Sequence, residues 1–148
     1  MPHAFHKLWI HLIWGTKDRH PYLTGEIRNK VLFHIKGEAR EKGIHLDTLN
    51  GTADHVHALL GLDPDQSIAR IMNDLKGESS HWINEGRLVK AHFAWQDGYG
   101  VFSVSEQHVG QIVAYVQTQQ EHHSSGDLVP EWETSDDWNV GPQPAEQA

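Results

Sequence analysis

The hydrophobic period of this chain switches between two residues and about four, and that switching leaves few folds open. From Phe5 to Trp14, Leu8, Ile10, Leu12 and Trp14 share one face, and Phe5, Lys7, Trp9, His11 and Ile13 share the other. This predicts a central strand packed on one side, ended by the Gly15–Pro21 loop. Over Thr24–Lys42, Ile27, Val31, Ile35 and Ala39 recur at helical spacing, and Gly43 is placed to stop the helix. Ile44–Leu49, an Asn50-Gly51 turn and Asp54–Leu62 then read as a β-hairpin. Ser67 starts a second helix with the stripe Ile68, Ile71, Met72, Leu75, Ser79 and Trp82, which Gly77 weakens without ending. A polar linker, Asn84–His92, leads to a Gly-rich loop and a strand reaching Val104. Ser105 is the expected cap of a third helix, Glu106 to about His123, whose stripe is Val109, Ile112, Val113 and Val116. The first six elements give an α+β fold, the ferredoxin-like antiparallel sheet backed by helices. The third helix is additional.

With 148 residues, 38% of them apolar, the chain suits one globular domain with a substantial core. It has no Cys, so disulfides, thiolate metal sites and cysteine nucleophiles are excluded. Met1–Lys7 lacks the apolar run of a signal peptide and no stretch approaches bilayer length, so a cytoplasmic protein without membrane contact is expected. The net charge of −8 argues at first against nucleic acid, but it is unevenly distributed. All 12 Lys and Arg lie by Lys90, against 11 acidic residues there, whereas the remainder carries nine acids and no base. Weak electrostatics suit recognition of a small folded single strand better than a grip on long duplex. The acidic stretch 124–148 has no periodicity and is expected to be a partly ordered extension of the 1–123 domain, with Trp132 and Trp138 tacking it down.

Within the second hairpin strand stand two histidines, His55 and His57. A strand repeats every two residues, so both imidazoles leave one face and can meet one ion, while Val56 and Ala58 face the helices. The alternative is a pair of surface histidines on an exposed sheet, easily met by chance among 13 His. Two imidazoles leave an ion under-coordinated, and a mixed nitrogen and oxygen set suits magnesium or manganese in phosphate chemistry. On the third helix, Tyr115, Gln119 and His122 fall on one flank beside the apolar stripe. Tyr115 is either a packing aromatic or a nucleophile; a phenol of pKa about 10 needs a metal or base nearby to attack at neutral pH. Gln119, one turn on, can offer its carbonyl oxygen to an ion on the same phosphate.

Four segments, Asp54-His-Val-His57, Leu75-Lys-Gly-Glu-Ser-Ser80, the run Phe93–Ser105, and Tyr115-Val-Gln-Thr-Gln119 with His122 and His123, occur in an order and spacing that resemble the single-tyrosine HUH transposases of small bacterial insertion sequences. That group includes the REP-associated tyrosine transposases, and the resemblance covers about residues 5–123. It implies that His55, His57 and Gln119 ligate magnesium or manganese, and that Tyr115, on the additional helix, becomes linked to the 5′-phosphate of cleaved single-stranded DNA. It further implies hairpin recognition, a homodimer in which the tyrosine helix often serves the partner, and no nucleotide cofactor.

Lys7, Lys17, Arg19, Arg70 and Lys76 are candidate phosphate contacts, with solvated charge as the alternative. Trp95 and Tyr99, in the Gly-rich loop, are candidate base-stacking residues, although Trp95 would serve equally as a loop anchor. Tyr99 also competes as nucleophile, but flanking glycines leave its hydroxyl poorly fixed. Asp54 either supports a histidine or caps the turn, and His11 reads as an ordinary sheet-face residue. The competing functions are a non-catalytic or domesticated hairpin-binding protein and a small-molecule metallohydrolase; the latter has no use for Tyr115.

Overall fold

The structure, a computed structural model, describes residues 5–118. Its strands are β1 (Trp9–Gly15), β2 (His45–Gly51), β3 (His55–Gly61) and β4 (Gly100–Val104), and its helices α1 (Gly25–Glu41), α2 (Ile68–Glu85) and α3 (Val109–Gln117). The sheet order is β2-β3-β1-β4 with every neighbouring pair antiparallel, which is the expected ferredoxin-like arrangement. The expected acidic extension lies outside the described residues.

Alternation in the strands assigns the two faces. Ile10, Leu12, Trp14, Val56, Ala58 and Leu60 pack with Val31, Ile35, Ala39, Ile71, Met72, Leu75 and Ile83 of α1 and α2 in the main core. The opposite face is covered as well: Leu59 packs on Ile112 and Val116 of α3, with Trp9, Val104, Val109 and Val113 around them. β1 is therefore buried on both sides rather than one, and His11 and Ile13 are fully buried beneath the α3 layer.

Local chemistry sets the boundaries. Gly43 adopts φ +70°, Ile44 N donates to Ala39 O and Gly43 N to Arg40 O, a Schellman closure of α1. Ser67 caps α2 by accepting from Arg70 N at 3.2 Å. In α2 the core position is Ile83 rather than Trp82, which is half-buried on the outer side. Ser105 does not cap through its side chain; its hydroxyl meets His108 Nδ1, in a 3-10 turn that precedes α3.

The hairpin departs from expectation. Asn50 and Gly51 lie inside β2, opposite His57 and Val56, and the chain turns at 52–54. Gly51 is required by close approach, since a Cβ there would stand 2.6 Å from the His55 carbonyl oxygen. Upstream, a bulge between Leu46 and Thr48 adds one residue, so that Leu46 and Leu49, three apart, both reach the main core. Among the described residues no helix is long and apolar enough to cross a membrane.

Candidate active site

β3 carries His55 and His57 onto the α3 side of the sheet, where they are 2% and 0% exposed with ring centroids 5.0 Å apart. They are thus buried, not two histidines on an open sheet. Each Nδ1 has a partner. His55 Nδ1 lies 2.7 Å from Asp54 Oδ1, 2.9 Å from Thr52 Oγ1 and 3.4 Å from Arg19 Nη1. Asp54 precedes the regular strand, which lets its carboxylate fold back onto His55 instead of leaving by the opposite face. The hydrogen bond with His55 holds the Asp54 carboxyl below its ordinary range; burial opposes this, and the charges of His55 and Arg19 and the Thr52 hydroxyl reinforce it.

His57 Nδ1 lies 2.9 Å from His11 Nε2, with the two rings stacked at 29°. His11 is fully buried between His57 and Phe102, so it is no ordinary sheet-face residue. His57 pairs with Ile13 across the strands, which places His11 diagonally beside it on the same face. This neighbour escaped the sequence reading because only the strand register brings it there; the strand periodicity had already put it on that face.

α3 supplies the third component. Ile112 and Val116 clamp Leu59, two residues beyond His57 on the same face, and Asn50 Nδ2 donates to Gln117 O at 3.0 Å. This seat brings the Tyr115 ring edge-on to His57, with centroids 6.0 Å apart, and leaves Tyr115 5% exposed. Tyr115 is consequently buried against the sheet. Gln119 lies outside the described residues.

The remaining candidates scatter. Arg19, in a 3-10 turn where it and Asp18 have positive φ, reaches Asp54 Oδ1 at 3.5 Å and belongs to the site's rim. Lys17 is exposed in the same turn, and Lys7 reaches Glu106 at 3.4 Å. Arg70 and Lys76 stem from α2, on the far side of the sheet from the histidines. Lys76 is committed to the protein: its Nζ donates to Gln96 O at 2.8 Å and Gly98 O at 2.9 Å. Burial lowers its pKa, with Asp97 opposing. Trp95 is a loop anchor and not a base platform, since it is buried against Trp14 and Phe93 and donates to Ser79 Oγ at 2.9 Å. Tyr99 packs on the α1 and α2 side, away from the histidine pair.

Residues 4–119 match the family model described as "Transposase IS200 like". The chain is 31% identical over 119 residues to the ISDra2 transposase TnpA of Deinococcus radiodurans, covering 77% of this chain and 85% of that protein. It is 28% identical over 130 residues to the transposase of insertion sequence element IS200 from Salmonella typhimurium, covering 82% and 85%. Among solved structures, a putative transposase from Deinococcus radiodurans is similar with TM-score 0.66 and 31% identity over 80% of this chain and 95% of that one. A REP-associated tyrosine transposase bound to a REP hairpin shares the fold, with TM-score 0.63 and 14% identity over 99% and 98%.

Proposed function

Because this chain belongs to the IS200-like transposase family, we propose that it moves DNA by nicking and rejoining single strands through a 5′-phosphotyrosine at Tyr115. The observation that carries this reading is the edge-on contact of Tyr115 with His57, beside a buried histidine pair. A phenol held at 5% exposure between a helix and a sheet has the fixed position that nucleophilic attack demands.

The donor set fits a divalent cation. Two imidazoles share one face, and with Nδ1 of His55 against Asp54 and Nδ1 of His57 against His11, Nε2 is the nitrogen each offers. His55 and His57, with Gln119 as the third ligand that the resemblance implies, would hold magnesium or manganese. Bound there, the ion would neutralise charge growing on the phosphoryl oxygens. The residues of the chain do the rest. Tyr115 Oη attacks phosphorus and gives up its proton, the bond from phosphorus to the 3′ oxygen breaks, and that oxygen leaves as a 3′-hydroxyl. The tyrosyl ester keeps the bond energy, so a 3′-hydroxyl can later reverse the step and join strands without a nucleotide cofactor. Asp54, Thr52 and His11 orient the imidazoles, while Arg19, at the rim, is placed to meet a phosphate.

The substrate class follows from charge and kinship. A nearly neutral body with an acidic end favours a compact single-stranded hairpin over long duplex, and the REP-associated relative was solved with a REP hairpin. The resemblance implies a homodimer. The Tyr115 ring stands edge-on to His57 of its own chain.

The test is incubation with a labelled hairpin oligonucleotide and magnesium or manganese. A denaturation-resistant protein–DNA adduct is expected, abolished in Tyr115→Phe and by chelator. Binding without adduct would favour a non-catalytic hairpin-binding protein, and neither binding nor adduct would overturn the DNA reading.

A further inference from the structure

Three ligand-bearing side chains converge on the helical layer, across the sheet from Tyr115. His34 and Glu38 stand one turn apart on α1 and Glu78 faces them from α2, with one ligand atom of each lying within 4.8 Å of the others. Among the described residues this is the only such convergence of three His or acidic side chains. His34 Nε2 is 2.6 and 2.8 Å from the two Glu78 oxygens, and all three residues are half-buried. The imidazole is fixed by its neighbour: it lies flat on the Trp82 indole, with centroids 4.0 Å apart and planes at 7°.

We propose that His34, Glu38 and Glu78 form a second divalent-cation site, of the zinc class, that clips α1 to α2 independently of the nicking site. Two carboxylates gathered around one imidazole leave surplus negative charge, which Lys42, 3.6 Å from Glu38, offsets only at the rim. One nitrogen and two carboxylate oxygens make a set that zinc accepts in tetrahedral form with water as fourth ligand. Zinc bonds of about 2.1 Å set ligand atoms roughly 3.4 Å apart, so Glu78, 2.6 Å from His34 Nε2, must open slightly, and the Glu38 ligand atom, within 4.8 Å of the other two, must come to that spacing. Both are adjustments that glutamate torsions allow, while Trp82 keeps the ring in place. Water has access, because His34 and Glu38 border an open cleft of about 590 Å³ that Phe33, Trp82 and Leu88 also line.

Chelator-stripped full-length protein, dialysed against micromolar zinc and analysed for metal, tests the site. Other histidines of the chain will also take up zinc, so the informative quantity is the difference between variants. His34→Asn and Glu78→Gln should each bind one zinc fewer per chain than wild type and lose most of the zinc-induced rise in Tm. His57→Asn should keep that rise. Hairpin nicking in magnesium should be unchanged in Glu78→Gln, which separates failure of this site from failure of the catalytic reading. Equal zinc uptake, or an equal rise in Tm, in wild type and both variants would overturn the proposal and leave the cluster an ordinary interhelical ion pair.

Discussion

At the scale of single residues, the account turns on how the two imidazoles are held. His11 Nε2 lies 2.9 Å from His57 Nδ1, so it acts through His57 as a positioning residue, and His11→Leu should keep the fold while weakening adduct formation by about 10- to 100-fold. The half-saturating manganese concentration should rise in parallel, and His11→Gln, whose amide can reach the place of Nε2, should restore part of both. An unchanged manganese requirement in His11→Leu would remove His11 from the account. Lys76 makes a second residue-level case. Replacing it by Met removes two charge-assisted bonds to the Gln96 and Gly98 carbonyls and should destabilise the fold by about 1–2 kcal/mol, read by denaturant unfolding. Its folded pKa lies below the ordinary 10.5, so between the two values the unfolded chain binds more protons. Stability should therefore rise with pH through that alkaline window in the wild type, and the rise should be missing in Lys76→Met.

At the scale of elements, the loop between β2 and β3 and the seat of α3 decide whether the histidines and the tyrosine meet. Gly51→Ala places a Cβ 2.6 Å from the His55 carbonyl oxygen, a backbone atom that cannot turn aside. It should cost about 1–3 kcal/mol in chemical unfolding and disturb nicking, because the strand that must shift carries His55. Leu59→Ala opens a cavity beneath Ile112 and Val116 and should cost about 2–4 kcal/mol, with loss of the adduct as α3 loosens over His57. These elements also show what could be read from the residues. Hydrophobic period and capping chemistry placed α1 and the start of α2 to within one residue and gave β3 its inward and outward faces, while α2 runs to Glu85, two residues into the expected polar linker. The hairpin turn was misplaced because Asn-Gly is a strong turn signal when read locally, whereas here Gly51 answers a close backbone approach and Asn50 ties down α3. The bulge that brings Leu46 and Leu49 to one face left no local signature.

At the scale of the whole molecule, the sheet divides structure from chemistry. One face builds the main core with α1 and α2; the other holds the histidine pair under α3. An α+β sheet with a histidine face and a tyrosine-bearing third helix was legible in order and spacing. His11 was not linked to His57, and Trp95 stayed open between base platform and loop anchor, because strand register and long-range packing decide both. The division predicts that substitutions on the outer helical layer, such as Glu78→Gln, spare nicking, while those beneath α3 do not. The central claim is that Tyr115 is the atom-for-atom point of attachment to DNA. Proteolysis of the adduct formed on a hairpin oligonucleotide, followed by mass spectrometry of the DNA-linked peptide, tests it most directly. The account predicts a 5′-phosphodiester on Tyr115 alone; linkage to Tyr99 or any other residue, in protein that retains nicking activity, would contradict it.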